Sequence, residues 1–460
     1  MEANNEAEIV TQLMEFATET KYTDIPKEVV EFAKGLTLKT VAGMVVGSAS
    51  PSGRKMARLI RDRKLPEDVG VIGCGFKTSL WEATFLYAFF AHAAELEDNR
   101  ITAFGVPSGG SSWDITVIPV VFSLAEKLRL SGKALVEALV VGLEVHARTC
   151  LFSAGHLGLD FILGAVGPAV AAARALGLGV KETTSALGLA MSNVPLLHLN
   201  FGTDAHFFES SLHSLQGIIA AEMAKEGMTG NPAMIKYLCD LLGKEKVTPD
   251  KIVKDLGRKW LFCETWIKKY PVCFLTHRHI DTLIELREKH NLSYEEVETI
   301  EAEVGPAEEI CDRPEPKTDM DLPFSFQNIL GAAMLDGDVN LNHIAEEAVD
   351  APRLKEARSK VKLIHHADWP HTLNAAMTEV PARLIIKMKD GSEFSGERWH
   401  IIGSQEEPLT MGQLQELYSK FTRGILPEEQ IRRTGEAILN LEKLSDMEEF
   451  MDMLVFRHKV

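Results

Sequence analysis

Apolar residues recur at intervals of three and four along most of the first 226 residues, which is the spacing of helices that bury one face. Asp24, Ile25 and Pro26 form a helix-start signal, because aspartate caps a first turn and proline fits inside it. The first run extends from there to about Val46, and the others cover about 79–94, 115–128, 132–150, 161–176, 181–192 and 205–226. Residues 69–75, VGVIGCG, predict a short strand or an extended loop.

The pattern changes near Lys268. YEEVETIEAEV, 294–304, predicts a strand, and ARLIIKMKDGSEFSGERWHI, 382–401, predicts a hairpin with Asp390-Gly391 at its turn. After about 407 the helical spacing returns. The sequence therefore predicts a mainly α fold in three parts: a large all-α domain over 1–268, a smaller α+β domain over 269–404, and helices over 405–460 that return to the first domain.

Composition and charge narrow the class of protein. The chain has 460 residues, 45% hydrophobic and 25% charged, which is typical of globular proteins with more than one core. A formal net charge of −17 repels nucleic acid and anionic membrane, so neither is expected as a partner. Six scattered cysteines include no CxxC pair, and the acidic N-terminus has no signal-peptide pattern. We therefore expect a cytoplasmic protein with free thiols.

One segment has the length and apolarity of a membrane span, FILGAVGPAVAAARALGLGV at 161–180. Arg174 lies inside it and Asp160 directly precedes it, while its Gly and Ala residues suit close helix contacts. We interpret it as a buried helix of a helical bundle.

The first candidate for chemistry is AHAAELEDNR, 91–100, at the end of an apolar run. Four residues at helical spacing form a packing stripe up to this motif: Trp81, Phe85, Ala88 and His92. Taken alone, His92 is therefore a core histidine. Three carboxylates follow where the helix should end: Glu95, Glu97 and Asp98. Because a carboxylate opposes the dipole at a helix C-terminus, they indicate that the chain has left the helix or that a basic group faces them.

The second candidate is GTDAHFFESSLHSLQG, 202–217. Four polar residues share one helical face: His206, Glu209, His213 and Gln216. A separate apolar stripe runs beside them: Phe208, Leu212, Leu215 and Ile219. The polar row is interpreted either as a wall for proton transfer or metal binding, or as a solvated face with no role.

The third candidate is KKYPVCFLTHRHID, 268–281, at the predicted junction of the domains, where small-molecule sites tend to form. His277 and His279 point in different directions on a helix, so at most one faces a site. The alternative is an ordinary helix start with exposed lysines. The chain contains no GxxxxGK[ST], no GxGxxG between a strand and a helix, no HExxH and no GxSxG.

These segments, taken in order, are similar to those of one known family. AHAAELED resembles the AHALDFDD signature of the MmgE/PrpD family of 2-methylcitrate dehydratases and cis-aconitate decarboxylases, and KKYPVCFLTHRHID resembles its KxYPxxxxxH element. The resemblance continues through VIPVVFSLAEKL, LVVGLEVHAR, GAVGPAVAAARALGL, FGTD, FSFQNILGAAMLDGDV and the LPEEQ…ILNLEKL tail. It covers essentially the whole chain, and the succession of motifs is more specific than any one of them.

The resemblance implies a helical domain, an α+β lid domain and a homodimer that uses neither metal nor organic cofactor. It also implies dehydration, decarboxylation or epimerisation of small di- and tricarboxylates. Such reactions make or quench charge on a carbon next to a carboxylate, and they require an acid/base pair and cations for the substrate.

The family's site residues carry over in part. Asp98 matches the last aspartate of the acidic motif, and Lys268 and His277 match the lysine and histidine of KxYPxxxxxH. At other positions this sequence differs from the family. Glu95 and Glu97 replace aspartates, and Ser112 and Trp113 replace a His-Pro pair. His206 replaces a lysine, Glu209 replaces His or Asn, and Asn328 replaces a tyrosine, while His156 lies about two residues before a family histidine. Because Glu209 would repel a tricarboxylate, a less anionic substrate than 2-methylcitrate fits better.

The sequence thus predicts a cofactor-free lyase, a dehydratase or decarboxylase of a small di- or tricarboxylate. The expected catalytic residues are His277 as acid/base, Lys268 as carboxylate anchor or cation, and Asp98 as orienting group, with His206 and Ser112 beside them. The expected substrate-binding residues are Glu97, His156, Glu209 and Asn328, and no metal is expected. The alternatives are an epimerase or isomerase that uses two bases, and an inactive paralogue that binds a carboxylate or a protein partner.

Overall fold

A computed structural model describes residues 6–99, 102–103, 106–107, 112–150, 164–191, 204–231, 233 and 249–456. The chain forms two compact units. The first comprises Met1–Thr265 and Thr410–Val460, and the second comprises Trp266–Leu409. The fold is mainly α, with β structure confined to small sheets among the described residues.

The first unit is built from helices with two short hairpins. Its helices are α1 (Glu6–Glu19), α2 (Lys27–Ala49), α3 (Pro51–Arg61), α4 (Leu80–His92), α5 (Asp114–Leu128), α6 (Gly132–Thr149), α7 (Val166–Ala175), α8 (Val180–Ala190), α9 (Asp204–Lys225) and α10 (Pro249–Ile252). The hairpins pair β1 (Val69–Gly70) with β2 (Lys77–Thr78), and β3 (Thr102–Ala103) with β4 (Val106–Pro107). Short 3₁₀ turns lie at Tyr22–Asp24, Leu261–Glu264 and Leu441–Lys443. Three further helices of this unit follow the second unit in the chain: Met411–Thr422, Glu428–Leu439 and Glu448–Leu454.

Two helices lie at the centre of this unit, because their sequences are apolar on nearly every side. Within α2 every residue from Ala33 to Ser48 is buried, and α4 is buried from Ala83 to His92. The two helices approach closely at Gly47, where a Cβ atom would collide with the backbone of Phe90. Helix α9 packs against α4, α7 and α8.

Within the apolar segment at 161–180, the described residues form a buried helix of this bundle, as predicted. Its described part contains α7, which is buried from Val166 to Ala173 and packs against α6 and α9. Among the described residues, no helix is both long enough and apolar enough to cross a membrane.

The second unit combines one sheet with helices. Its helices are α11 (His277–Lys289), α12 (Phe326–Asp336), α13 (Glu346–Asp350), α14 (Pro352–Ser359) and α15 (Leu373–Thr378). Its strands are β5 (Val297–Val304), β6 (Val361–His365), β7 (Ala382–Met388) and β8 (Glu393–Arg398). Short 3₁₀ turns lie at Phe274–Thr276, Tyr294–Glu296, Pro306–Cys311, Asp319–Phe324 and Leu341–His343.

The sheet has the strand order β6-β5-β7-β8, with β5 parallel to β6 and antiparallel to β7. The predicted alternation holds in β7, where Leu384, Ile386 and Met388 are buried and the residues between them are more exposed. Helix α11 packs against β7 and β8, so one face of the sheet covers it. The second unit begins at Trp266 and ends at Leu409, where the sequence placed the boundaries at 268 and 404.

Candidate functional site

The acidic motif begins where α4 ends at His92. Glu95 has a φ of +51°, in the left-handed region that side chains other than glycine rarely adopt, and there the chain turns away from the helix axis. A basic group also faces the motif. The Lys39 ammonium, on α2, donates to the carbonyl oxygen of Leu96 at 2.8 Å and lies 3.4 Å from Asp98 Oδ1. The chain has therefore left the helix at these carboxylates, and a basic group faces one of them, Asp98.

Asp98 belongs to a buried cluster with Lys39, Thr40 and Asp114. The Asp98 backbone N–H donates to Asp114 Oδ1 at 3.3 Å, and the Thr40 hydroxyl donates to Asp114 Oδ2 at 3.0 Å. Asp98 and Lys39 are each 1% exposed and Asp114 is 0% exposed. Burial first, and then the neighbouring Asp98 carboxylate, raise the pKa of Asp114 well above its usual range. The cluster therefore contains two carboxyl groups and one ammonium group, all of them buried.

Three side chains of the same motif lie close enough to share a cation. Ligand atoms of His92, Glu95 and Glu97 all lie within 4.8 Å of one another. The His92 Nδ1 atom is 3.2 Å from the Ser210 hydroxyl of α9, and the imidazole packs edge-on against the Phe207 ring, as the packing stripe predicts. The absence of a metal stays a prediction.

Two members of the polar row of α9, Glu209 and His213, are buried, so its interpretation as a solvated face is wrong for these two residues. Glu209 is 2% exposed and His213 is 4% exposed, whereas Phe208, in the apolar stripe, is 44% exposed. The other members of that stripe, Leu212, Leu215 and Ile219, are half-buried. Glu209 and His213 are thus more buried than Phe208, which is the reverse of a typical surface helix. Helices α4, α7 and α8 pack against α9.

In the second unit, Lys268 and His277 are both buried, with exposures of 1% and 0%. His277 is the first residue of α11, and its Nε2 atom lies 3.4 Å from the carbonyl oxygen of Val272. The rings of Tyr270 and Phe274 pack against its imidazole at centroid distances of 5.3 and 5.7 Å. The alternative of a helix start with exposed lysines is wrong for Lys268, whereas the neighbouring Lys269 is partly exposed.

His279 differs from His277 in its contacts. Its ring nitrogen Nε2 lies 3.0 Å from the carbonyl oxygen of Glu303, and its ring packs edge-on against Phe326. Burial, together with the adjacent Arg278, lowers the pKa of His279 to about 3. It is therefore a neutral core histidine across the physiological range.

The remaining predicted site residues fall in three groups. Asn328 is buried, and its amide donates to the His343 carbonyl oxygen at 2.9 Å and accepts from Arg358 Nε at 3.0 Å, which ties three segments of the second unit together. Ser112 is half-buried just before α5. His206 lies in the first turn of α9, outside the side chains that the structure describes, and His156 lies outside the described residues.

Sequence reasoning missed Lys39 and Asp114. The signal for Lys39 was a cation within the apolar run LTLKTVAGMVV, where an ionisable residue needs a buried partner. Asp114 directly precedes the apolar residues of α5, so it looked like an ordinary helix-start residue. Of the predicted residues, Asp98, Ser112, His206 and Glu209 belong to the first unit, and Lys268, His277 and Asn328 to the second.

These features define a class: a two-unit, mainly α protein with buried lysine, histidine and carboxylate side chains. Comparison with known families makes the class specific. The MmgE/PrpD N-terminal domain matches residues 11–237, and the MmgE/PrpD C-terminal domain matches residues 270–443. The chain therefore belongs to the MmgE/PrpD family.

Several proteins are similar to this chain over most of their length. "Cis-aconitate decarboxylase-like protein oryM" of Aspergillus oryzae is 24% identical over 98% of both chains. The cis-aconitate decarboxylase of Mus musculus is 27% identical over 80% of this chain and 76% of its own. The Homo sapiens protein of the same name is 25% identical over 79% and 77%, respectively.

Proposed function

We propose that this protein is a cofactor-free lyase, a dehydratase or decarboxylase, that acts on a small di- or tricarboxylate. One observation carries the proposal: the chain matches both domains of the MmgE/PrpD family and is similar to cis-aconitate decarboxylases over most of its length. The reaction class follows from the relatives' names, and the residues below are those available to perform it.

The proposed chemistry is proton transfer at a carbon next to a carboxylate. His277 is the acid/base, because imidazole exchanges protons near neutral pH. Lys268 supplies a cation for a substrate carboxylate, and its burial makes that charge more effective than it would be in water. Asp98 is the orienting group, held by Lys39 on one side and linked to Asp114 on the other.

The other proposed contributors have supporting roles. His206 and Ser112 are proposed to assist proton transfer, and Glu97, His156, Glu209 and Asn328 to bind substrate. The buried carboxylate of Glu209 favours a substrate with fewer negative charges than a tricarboxylate. Residues 266–409 are proposed to be the lid domain, and the working protein is proposed to be a homodimer.

Nuclear magnetic resonance of a carboxylate panel in D₂O tests the proposal. Chelator-washed protein is incubated with cis-aconitate, 2-methylcitrate and a series of dicarboxylates. A decarboxylase releases CO₂ and places deuterium on the product carbon. A dehydratase releases water from a hydroxy acid, and in the reverse direction it adds D₂O to an alkene such as cis-aconitate and so places deuterium on carbon. Retention of the full substrate mass with deuterium incorporation would instead show an epimerase or isomerase, and the absence of both conversion and exchange with every member would contradict enzymatic activity on this class.

A further inference from the structure

A buried carboxylate lies one helical turn beyond His277. Asp281, on α11, is 3% exposed, and its two oxygens contact two segments of the second unit. Oδ1 accepts from the Tyr270 hydroxyl at 2.8 Å and lies 3.4 Å from Lys269 Nζ. Oδ2 accepts from the Ile402 backbone N–H at 3.1 Å.

These contacts hold the residues on both sides of Lys268. Lys269 and Tyr270, which follow it, are bound by Asp281 itself. Ile267, which precedes it, donates its backbone N–H to the carbonyl oxygen of Gly403 at 2.8 Å. Gly403 has a φ of +111°, and a Cβ atom there would collide with the Ile267 carbonyl, so this close crossing requires glycine. Asp281 fixes both the Lys269–Tyr270 pair and the Ile402–Gly403 loop that crosses Ile267.

The same carboxylate reaches His277 through Tyr270. The Tyr270 ring meets the His277 imidazole edge-on, with an interplanar angle of 64°. Since the tyrosine hydroxyl donates to Asp281, the ring cannot turn away without losing a buried hydrogen bond. Tyr270 therefore provides a fixed packing surface for the His277 imidazole.

We propose that Asp281 is a positioning residue that fixes Lys268 and His277 relative to each other, through Tyr270 and the Ile402–Gly403 loop. The proposal rests on the proposed function of those two residues. Catalysis by positioned groups is sensitive to displacement, because a shift of about 1 Å can lower a rate about 100-fold. Asp281 is thus expected to affect turnover without touching the substrate.

Three substitutions test this proposal. Asp281→Asn places an NH₂ group either opposite the Tyr270 hydroxyl and the Lys269 ammonium, which share Oδ1, or opposite the Ile402 N–H at Oδ2. Tyr270→Phe removes only the hydroxyl. Thr282→Val is the matched control, because Thr282 is the next residue of α11 and its buried hydroxyl donates to the Arg278 carbonyl oxygen of the same helix. All three are measured for kcat and KM on the panel carboxylate that exchanges deuterium fastest.

We expect Asp281→Asn to lower kcat about 10- to 100-fold and Tyr270→Phe about 10-fold, with Thr282→Val within about 2-fold of wild type. Burial is the largest influence on Asp281 and raises its pKa. Four neighbours lower that pKa: Lys269, the Ile402 amide, Tyr270 and Arg398. Asp338 is a further charged group near Tyr270. Protonation of Asp281 on acidification should therefore lower activity in wild type. Asp281→Asn should lack this acid-side decrease. Equal kcat losses in Asp281→Asn and Thr282→Val, with an unchanged pH profile, would overturn the proposal.

A substrate-independent measurement separates this proposal from the proposed function. In protein labelled with ¹³C at histidine Cε1, the His277 resonance should shift in Asp281→Asn and Tyr270→Phe and stay in place in Thr282→Val. An unmoved resonance in the first two variants would overturn the positioning role even if His277 is catalytic. Full turnover in His277→Ala would contradict the proposed function, while the resonance shifts would still decide the positioning role.

Discussion

Several ionisable side chains of this protein are buried, and burial changes their affinity for protons. Glu308 is 1% exposed; it accepts from the Gly305 backbone N–H at 2.8 Å and lies 4.0 Å from an Arg278 nitrogen. Burial outweighs these two contacts and raises the pKa of Glu308 to about 7. This carboxyl group therefore makes folding depend on pH in the second unit.

The sign of that dependence follows from linkage. Between pH 4.5 and about 7 the folded protein binds a proton at Glu308 that the unfolded chain has released. The free energy of unfolding should therefore fall as pH rises through this window, by about 3 kcal/mol from this group. Urea unfolding of Glu308→Gln should lack this contribution. An identical slope in wild type and Glu308→Gln would contradict the assignment.

The buried ion pair of Lys39 and Asp98 can be tested by substitution. Lys39→Met would leave the Asp98 carboxylate buried without its ammonium partner, which typically costs about 3–5 kcal/mol. The double variant Lys39→Met/Asp98→Asn should recover part of the loss, because it removes the uncompensated charge as well. Urea unfolding at pH 7 measures both. A single variant within about 1 kcal/mol of wild type would show that the pair contributes little.

Exposed aromatic side chains on α4 and α9 predict an interface. Phe208 is 44% exposed and contacts the Phe85 ring of α4 edge-on, and Trp81 of α4 is also 44% exposed. Exposed aromatic residues on adjacent helices are typical of association surfaces. We expect Phe208→Glu to shift the protein towards monomer in analytical ultracentrifugation.

The matched control is Leu59→Glu on α3, which changes another exposed apolar residue, 59% exposed, on a different helix. This variant should retain the wild-type sedimentation coefficient. If Phe208→Glu and wild type sediment alike, this aromatic surface is not the interface of the proposed homodimer.

The sequence pattern predicted elements more reliably than it predicted which face of an element is buried. The alternation of Leu384, Ile386 and Met388 identified β7 because one sheet face is buried and the other is not. On α9 the same reasoning left two interpretations of the polar row open, and the structure shows Glu209 and His213 inside and Phe208 outside. Periodicity shows that two faces differ, but the neighbouring helices determine which one they cover.

The candidate site was predictable only where spacing along the chain is short. Lys268 and His277 were predicted together because they lie within one 14-residue segment, KKYPVCFLTHRHID. Lys39 pairs with Asp98, 59 residues away, and no periodicity links those two positions. Packing of α2 against α4 brings them together, and a single sequence carries no direct signal of that contact.

For the whole molecule, we expect catalysis without a bound metal. His92, Glu95 and Glu97 lie close together, but the Lys39 ammonium already supplies a positive charge to this acidic segment. Elemental analysis of chelator-washed protein should find no stoichiometric zinc or iron, and activity should persist. A stoichiometric metal that His92→Ala removes would contradict this expectation and identify these three residues as its ligands.

His277 is proposed to transfer a proton next to a substrate carboxylate. The most direct test is the rate of solvent-deuterium incorporation into the fastest-exchanging panel carboxylate, for wild type, His277→Ala and His279→Gln. His277→Ala should be slower by about 10²- to 10⁴-fold. His279→Gln should stay close to wild type, because His279 is neutral and glutamine can also donate to the Glu303 carbonyl. Because His277 is fully buried, circular dichroism must show that each variant is folded. A folded His277→Ala variant with a wild-type rate, or equal rate losses in both variants, would contradict proton transfer by His277.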